Sequence, residues 1–121
     1  CYMVSYPKKE SGNYKRRSKP YVMITSIDGR KQEVSATSGY SYKNKTQPRL
    51  IVDGIEHKFG LTEGESAWFK SDKYDGKVIE EMKKGIKMTV KGTSSKGTYS
   101  ADSYSLKGFT SAFNKMLSLC K

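Results

Sequence analysis

Apolar residues near the C-terminus recur at a helical spacing. Phe109, Ala112, Phe113, Met116 and Leu117 follow at three- and four-residue steps, which places them on one helix face. Just before them, Met88 to Gly92 and Tyr99 to Leu106 read as the two arms of a hairpin. They flank Ser95-Lys96-Gly97, where glycine tolerates the positive φ that a tight reversal needs. The stretch Lys87 to Cys120 therefore predicts strand, turn, strand and helix, and closes the domain.

The earlier apolar positions predict more short strands. Tyr2 to Tyr6 is rich in aromatic and β-branched residues and is stopped by Pro7. Tyr21 to Ile27 leads into Asp28-Gly29, a favoured two-residue hairpin turn. The return strand, Gln32 to Ser38, sets Val34 and Ala36 on one side and Glu33, Ser35 and Thr37 on the other. Leu50 to Val52, Asp53-Gly54 and Ile55 to Phe59 repeat this grammar, with Ile55, His57 and Phe59 facing away from Glu56 and Lys58. Ala67-Trp68-Phe69 makes another strand. Trp68 reads best as core filler, with stacking on carbohydrate as its rival role. Asp75-Gly76-Lys77, then Val78, Ile79, Met82 and Gly85, predict a two-turn helix capped by Asp75, its Glu80, Glu81, Lys83 and Lys84 facing water. Gly39 to Gln47 is polar loop, whose Tyr40 and Tyr42 either cap the sheet or stay exposed. Seven or so strands with turn signals between them, and two short helices, predict a mainly β, antiparallel sandwich with the C-terminal helix packed on its sheets.

Composition narrows this picture. A length of 121 residues fits one domain, 1–121, and 35% hydrophobic residues is low for a helical core yet adequate for sheets with one apolar face each. The net charge of +11 gives a positive field over much of the surface and points to anionic partners; the plain alternative is charge that serves solubility. From Lys8 to Lys19, six basic residues accompany one acid with no apolar period: Lys8, Lys9, Lys15, Arg16, Arg17 and Lys19. Around Tyr14 they form a candidate site for phosphate or sulfate groups, with the ring free to stack on a base or sugar. The plain reading of the same stretch is a solvated, mobile loop.

The two cysteines, Cys1 and Cys120, sit at opposite ends, too far apart for a metal or redox motif. A terminal staple is the simplest use. It implies an oxidising compartment, and in the chain-entropy account it contributes roughly 4–5 kcal/mol. The rival is a lipidated Cys1, since a chain that starts on cysteine without methionine has lost something upstream. No apolar run is long enough to span a bilayer. His57 is the lone histidine, with no cysteine nearby and no Ser-His-acid arrangement, so a partly buried sheet residue explains it better than a catalyst. Glu80 and Glu81 are adjacent, hence about a hundred degrees apart on a helix, and do not converge on a substrate. No phosphate loop, metal cluster or repeat is present.

Against this background, several runs resemble the invasion-associated locus B family. They are Cys1 to Lys9, Pro20 to Thr25, Glu33 to Ser35, Val52 to Gly54, Ala67-Trp68 and Met82 to Gly85. Val90 to Thr98 and Asp102 to Thr110 join them, and Tyr104 to Thr110 is the most specific. The resemblance implies an immunoglobulin-like β-sandwich exported by alphaproteobacteria to the periplasm or outer envelope. In pathogenic members it implies a link to host-cell invasion, notably of red blood cells. It carries no catalytic residues. Family members usually have a further Trp-containing strand ahead of the position of Cys1. Its absence would leave an open sheet edge, which invites pairing with a second copy or another protein.

The expected function is thus a non-enzymatic exported envelope protein, binding an unidentified anionic polymer or an envelope or host protein. No cofactor, metal or small-molecule substrate is expected. The alternative is a small basic nucleic-acid-binding module; charge and Tyr14 favour it, while the cysteine staple and the lack of a base-stacking motif count against it.

Overall fold

The hairpin signals build two five-stranded antiparallel sheets. A computed structural model describes residues 1–120. The first sheet contains β1 (Tyr2–Ser5), β3 (Tyr21–Ile27), β4 (Lys31–Thr37), β7 (Leu61–Glu63) and β8 (Ser66–Trp68), in the order β1-β3-β4-β8-β7. The second contains β2 (Lys9–Gly12), β5 (Arg49–Val52), β6 (Ile55–Lys58), β9 (Lys87–Thr93) and β10 (Tyr99–Ser105), in the order β2-β10-β9-β5-β6. Between them lies the core, where Val22, Ile24, Val34 and Ala36 of the first sheet join Leu50, Val52, Met88, Val90 and Tyr104 of the second. The mainly β sandwich read from the sequence is present.

Strand count is where sequence and structure part. β2 lies inside the stretch read as a loop, because its Lys-Glu-Ser-Gly sequence is exposed throughout and has no periodic signature; pairing with β10 alone makes it a strand. The Asp28-Gly29 reversal is a three-residue loop including Arg30, since Ile27 pairs with Lys31, whereas Asp53-Gly54 is the two-residue turn its sequence predicts. Both residues of that turn have positive φ. The Asp53 carboxylate also accepts the N–H groups of Ile86 and Lys87 at 2.9 and 3.0 Å, which ties the turn to the start of β9. Ala67 and Phe69 take the core positions, so Trp68 is turned to the outer face in register with Ser35 and Leu61. Ile55 has the inward parity of His57 but is exposed at the hairpin end. β4 is covered on both faces from Val34 to Thr37, not half buried.

Helix α1 (Asp72–Lys84) starts a turn earlier than Asp75. Ser71 is its cap and accepts the Tyr74 N–H at 3.2 Å, while Asp75 is buried and accepts the Val34 N–H at 3.1 Å beside β4. Gly85 ends α1 as expected, and a side chain there would collide with Leu106 and Val52. Helix α2 (Phe109–Leu119) buries Phe109, Phe113 and Met116 and packs on α1 and β1. It carries Cys120 to Cys1, with which it forms a disulfide across a Cα separation of 6.0 Å. The two ends of the sandwich are stapled.

Candidate functional site

The basic residues between Lys8 and Lys19 do not form one patch. The Lys8 N–H donates to Ser103 O at 2.7 Å, and Lys9, opposite Ser103, projects from the outer face of the second sheet. Lys15 is exposed. Arg16 borders a cleft of about 410 Å³ lined also by Ser41, Ser95, Lys96 and Thr98. The Lys19 ammonium sits 4.0 Å over the Tyr6 ring, and Tyr6 meets Tyr21 of the first sheet edge-on. Arg17 turns the other way, into the protein.

The Arg17 side chain is 3% exposed and its guanidinium grips Asp102, itself 1% exposed, with both nitrogens. It also donates to Ser38 O at 3.2 Å and to Glu10 at 3.0 Å, and lies 4.2 Å over the Tyr14 ring. Burial alone would lower the pKa of Arg17. The hydrogen bonds and charge of Asp102 override that, so it is raised and the group stays charged. Nearby, the Tyr42 hydroxyl bonds Ser38 at 2.8 Å and the Tyr40 hydroxyl bonds Ser100 at 2.6 Å; desolvation pushes both phenols up, which keeps them neutral. Arg17 is thus committed to the fold and withdrawn from solvent, and the half-buried Tyr14 ring lies against it.

Strand register assembles a different cluster. Residues directly opposite in neighbouring strands point to the same face. Ser11, Ala101, Lys91, Arg49 and Lys58 are opposite one another in turn across β2, β10, β9, β5 and β6, which makes one row on the outer face. At strand spacing, Lys91 and Lys58 are roughly 10 Å apart with Arg49 between them. Lys9 and Lys87 lie on the same face, and its sole acid within the strands is Glu56, 3.5 Å from Arg49. That pair is exposed, 41% and 42% for the two side chains, so it leaves Arg49 available. Alternation within Lys87-Met88-Thr89-Val90-Lys91 signals the outward lysines. Which strands neighbour each other is not written locally, so no single stretch of the sequence signals the row.

His57 acquires the acid and the hydroxyl that the sequence did not show. Its Nε2 is hydrogen-bonded to Glu81 Oε1 at 2.7 Å and its Nδ1 to the Tyr74 hydroxyl at 2.7 Å. Glu81 therefore turns inward, while Glu80 stays on the surface beside Lys83. The ring is 2% exposed, with Phe69 and Tyr74 edge-on to it. With both ring nitrogens engaged by α1, the trio latches that helix to β6. Among the described residues no cluster of His, Cys, Asp or Glu is fit to hold a metal ion, and no helix is long and apolar enough to cross a membrane.

The model of one family, described as "Invasion associated locus B (IalB) protein", matches residues 1–117. The chain belongs to the IalB family. That family is not a known enzyme family. No curated protein and no solved structure matches the chain. Within the IalB match, the run from Tyr104 to Thr110 supplies the core residues Tyr104 and Leu106 and the start of α2, and Asp102 just ahead of it is the buried acid for Arg17. Its specificity is that of the scaffold.

Proposed function

We infer that this IalB-family protein is exported and acts without catalysis, by binding an anionic component of a cell surface through its exposed cations. The observation that carries the reading is the outer face of the second sheet, where Lys9, Arg49, Lys58, Lys87 and Lys91 stand against the single acid Glu56. Lys8, Lys15, Arg16 and Lys19 extend the basic surface through the loops. The disulfide between Cys1 and Cys120 supports an oxidising compartment, as the periplasm or the cell exterior provides. The face is fixed by hydrogen-bonded strands, so little backbone entropy is lost when a polyanion settles on it.

Retention on immobilised heparin tests the reading. Binding to a polyanion falls linearly in log affinity with log salt, steeply between about 50 and 200 mM, and removing one contact lowers the slope by about one. The expected result is a reduced slope for Arg49→Ala/Lys91→Ala and for Lys15→Ala/Arg16→Ala. An unchanged slope in both would sink the reading. Preference for nucleic-acid sequence or strandedness beyond charge would favour a nucleic-acid-binding module instead.

A further inference from the structure

One groove on the basic face carries side chains that narrow the ligand. Its floor is low because Ala101 lies in register between Lys91 and Ser11, so only a methyl group stands there. Arg49, Lys91, Thr93 and Tyr99 surround it, with Gln47 from the connection into β5. The depression measures about 300 Å³, at the lower end of small-ligand sites. Tyr99 is 55% exposed, yet its backbone is pinned twice by Asn13: its N–H donates to Asn13 Oδ1 at 2.8 Å, and its carbonyl accepts the Asn13 N–H at 3.2 Å. An aromatic ring is thus displayed on a fixed strand beside two cations.

We propose that this groove binds an acidic saccharide. Tyr99 stacks on the apolar face of one sugar ring, Arg49 and Lys91 hold its carboxylate or sulfate, and Thr93 and Gln47 bond its hydroxyl groups. Arg49 suits the task because a planar guanidinium meets a carboxylate with two parallel hydrogen bonds. Lys58, the next member of the row, receives the acidic group of the following sugar in a linear chain. A bare phosphate chain needs charge alone and gains nothing from the exposed phenol or the neutral hydrogen-bonding groups. A single-stranded nucleic acid stacks successive bases on successive rings, and here one ring is offered. The inference rests on the anion-binding reading above and names its ligand class.

Calorimetric titration of tetragalacturonate and of a linear polyphosphate of equal charge separates the two claims. The saccharide is expected to bind the native protein more tightly. Tyr99→Ala should weaken saccharide binding roughly tenfold and leave polyphosphate unchanged, while Arg49→Ala/Lys91→Ala weakens both by more than that. Tyr99→Leu, which keeps strand bulk without the ring, should repeat the Tyr99→Ala result, and urea midpoints verify that each variant is folded. Saccharide binding that is no tighter than polyphosphate, or is indifferent to Tyr99, overturns the saccharide assignment and leaves anion binding standing. Tighter binding of a DNA oligonucleotide overturns it too. If neither probe binds the native protein, the broader reading falls with it.

Discussion

The inner and outer faces of the second sheet use the same kind of residue for opposite ends. On the inner face Arg17 is buried against Asp102, with both terminal nitrogens bonded to protein; on the outer face Arg49 is 41% exposed and 3.5 Å from an acid that is equally wet. Burial makes the first pair costly to break without making it a binding group. Exposure makes the second nearly irrelevant to folding and leaves it free to bind. Net charge counts both alike, so the figure of +11 overstates neither face but cannot tell them apart.

The largest effect that would break this contrast is on Arg17. Arg17→Ala leaves Asp102 without its partner in the interior and is expected to cost about 3–5 kcal/mol, read from the urea midpoint. A loss under about 1 kcal/mol would mean that Arg17 is a surface cation after all. His57, also on the inner face, comes next: His57→Ala strands the Tyr74 hydroxyl and the Glu81 carboxylate, for a loss of about 2–3 kcal/mol and earlier exchange of the α1 amides. Equal protection of α1 in both proteins would contradict the latch.

Asp75 sharpens the comparison through pH. Desolvation raises its pKa from 3.8 to about 6, against the opposing hydrogen bond from Val34. The folded protein therefore binds this proton more tightly than the unfolded chain. Its contribution to stability is fully present below about pH 4 and is lost as pH rises through about 6. Asp75→Asn is expected to stabilise by on the order of 1–2 kcal/mol at neutral pH and by little near pH 4, in parallel urea series. A gain of the same size at both pH values would exclude titration of Asp75 as its source. The smallest effect on stability belongs to the outer face: Arg49→Ala/Lys91→Ala should shift stability by less than about 1 kcal/mol while weakening polyanion binding.

Most of the scaffold was legible in the chain because local chemistry dictates it. Asp53-Gly54 specifies its own turn, and Phe109, Phe113 and Met116 mark the buried face of α2 by spacing alone. Trp68 misled through its size: in Ala67-Trp68-Phe69 a strand can bury either the middle residue or its two neighbours, and the stacking of Phe69 on Phe59 at 4.4 Å settles it for the neighbours. Asp75 looked like a cap because Asp-Gly commonly starts or turns a chain, yet Ser71 performs that task one turn earlier. The candidate site was less legible. Arg17 and Asp102 are 85 residues apart, and β2 and β10 pair across a similar distance, so neither the buried pair nor the row of outward cations has a local signature.

The most direct measurement is an amide NMR titration with tetragalacturonate. The outer-face account predicts shift changes at Lys91, Thr93, Tyr99, Ala101 and Arg49, with Met23 and Trp68 on the opposite sheet unmoved. Changes confined to the segment from Asn13 to Lys19, or spread evenly over every exposed lysine, would contradict it.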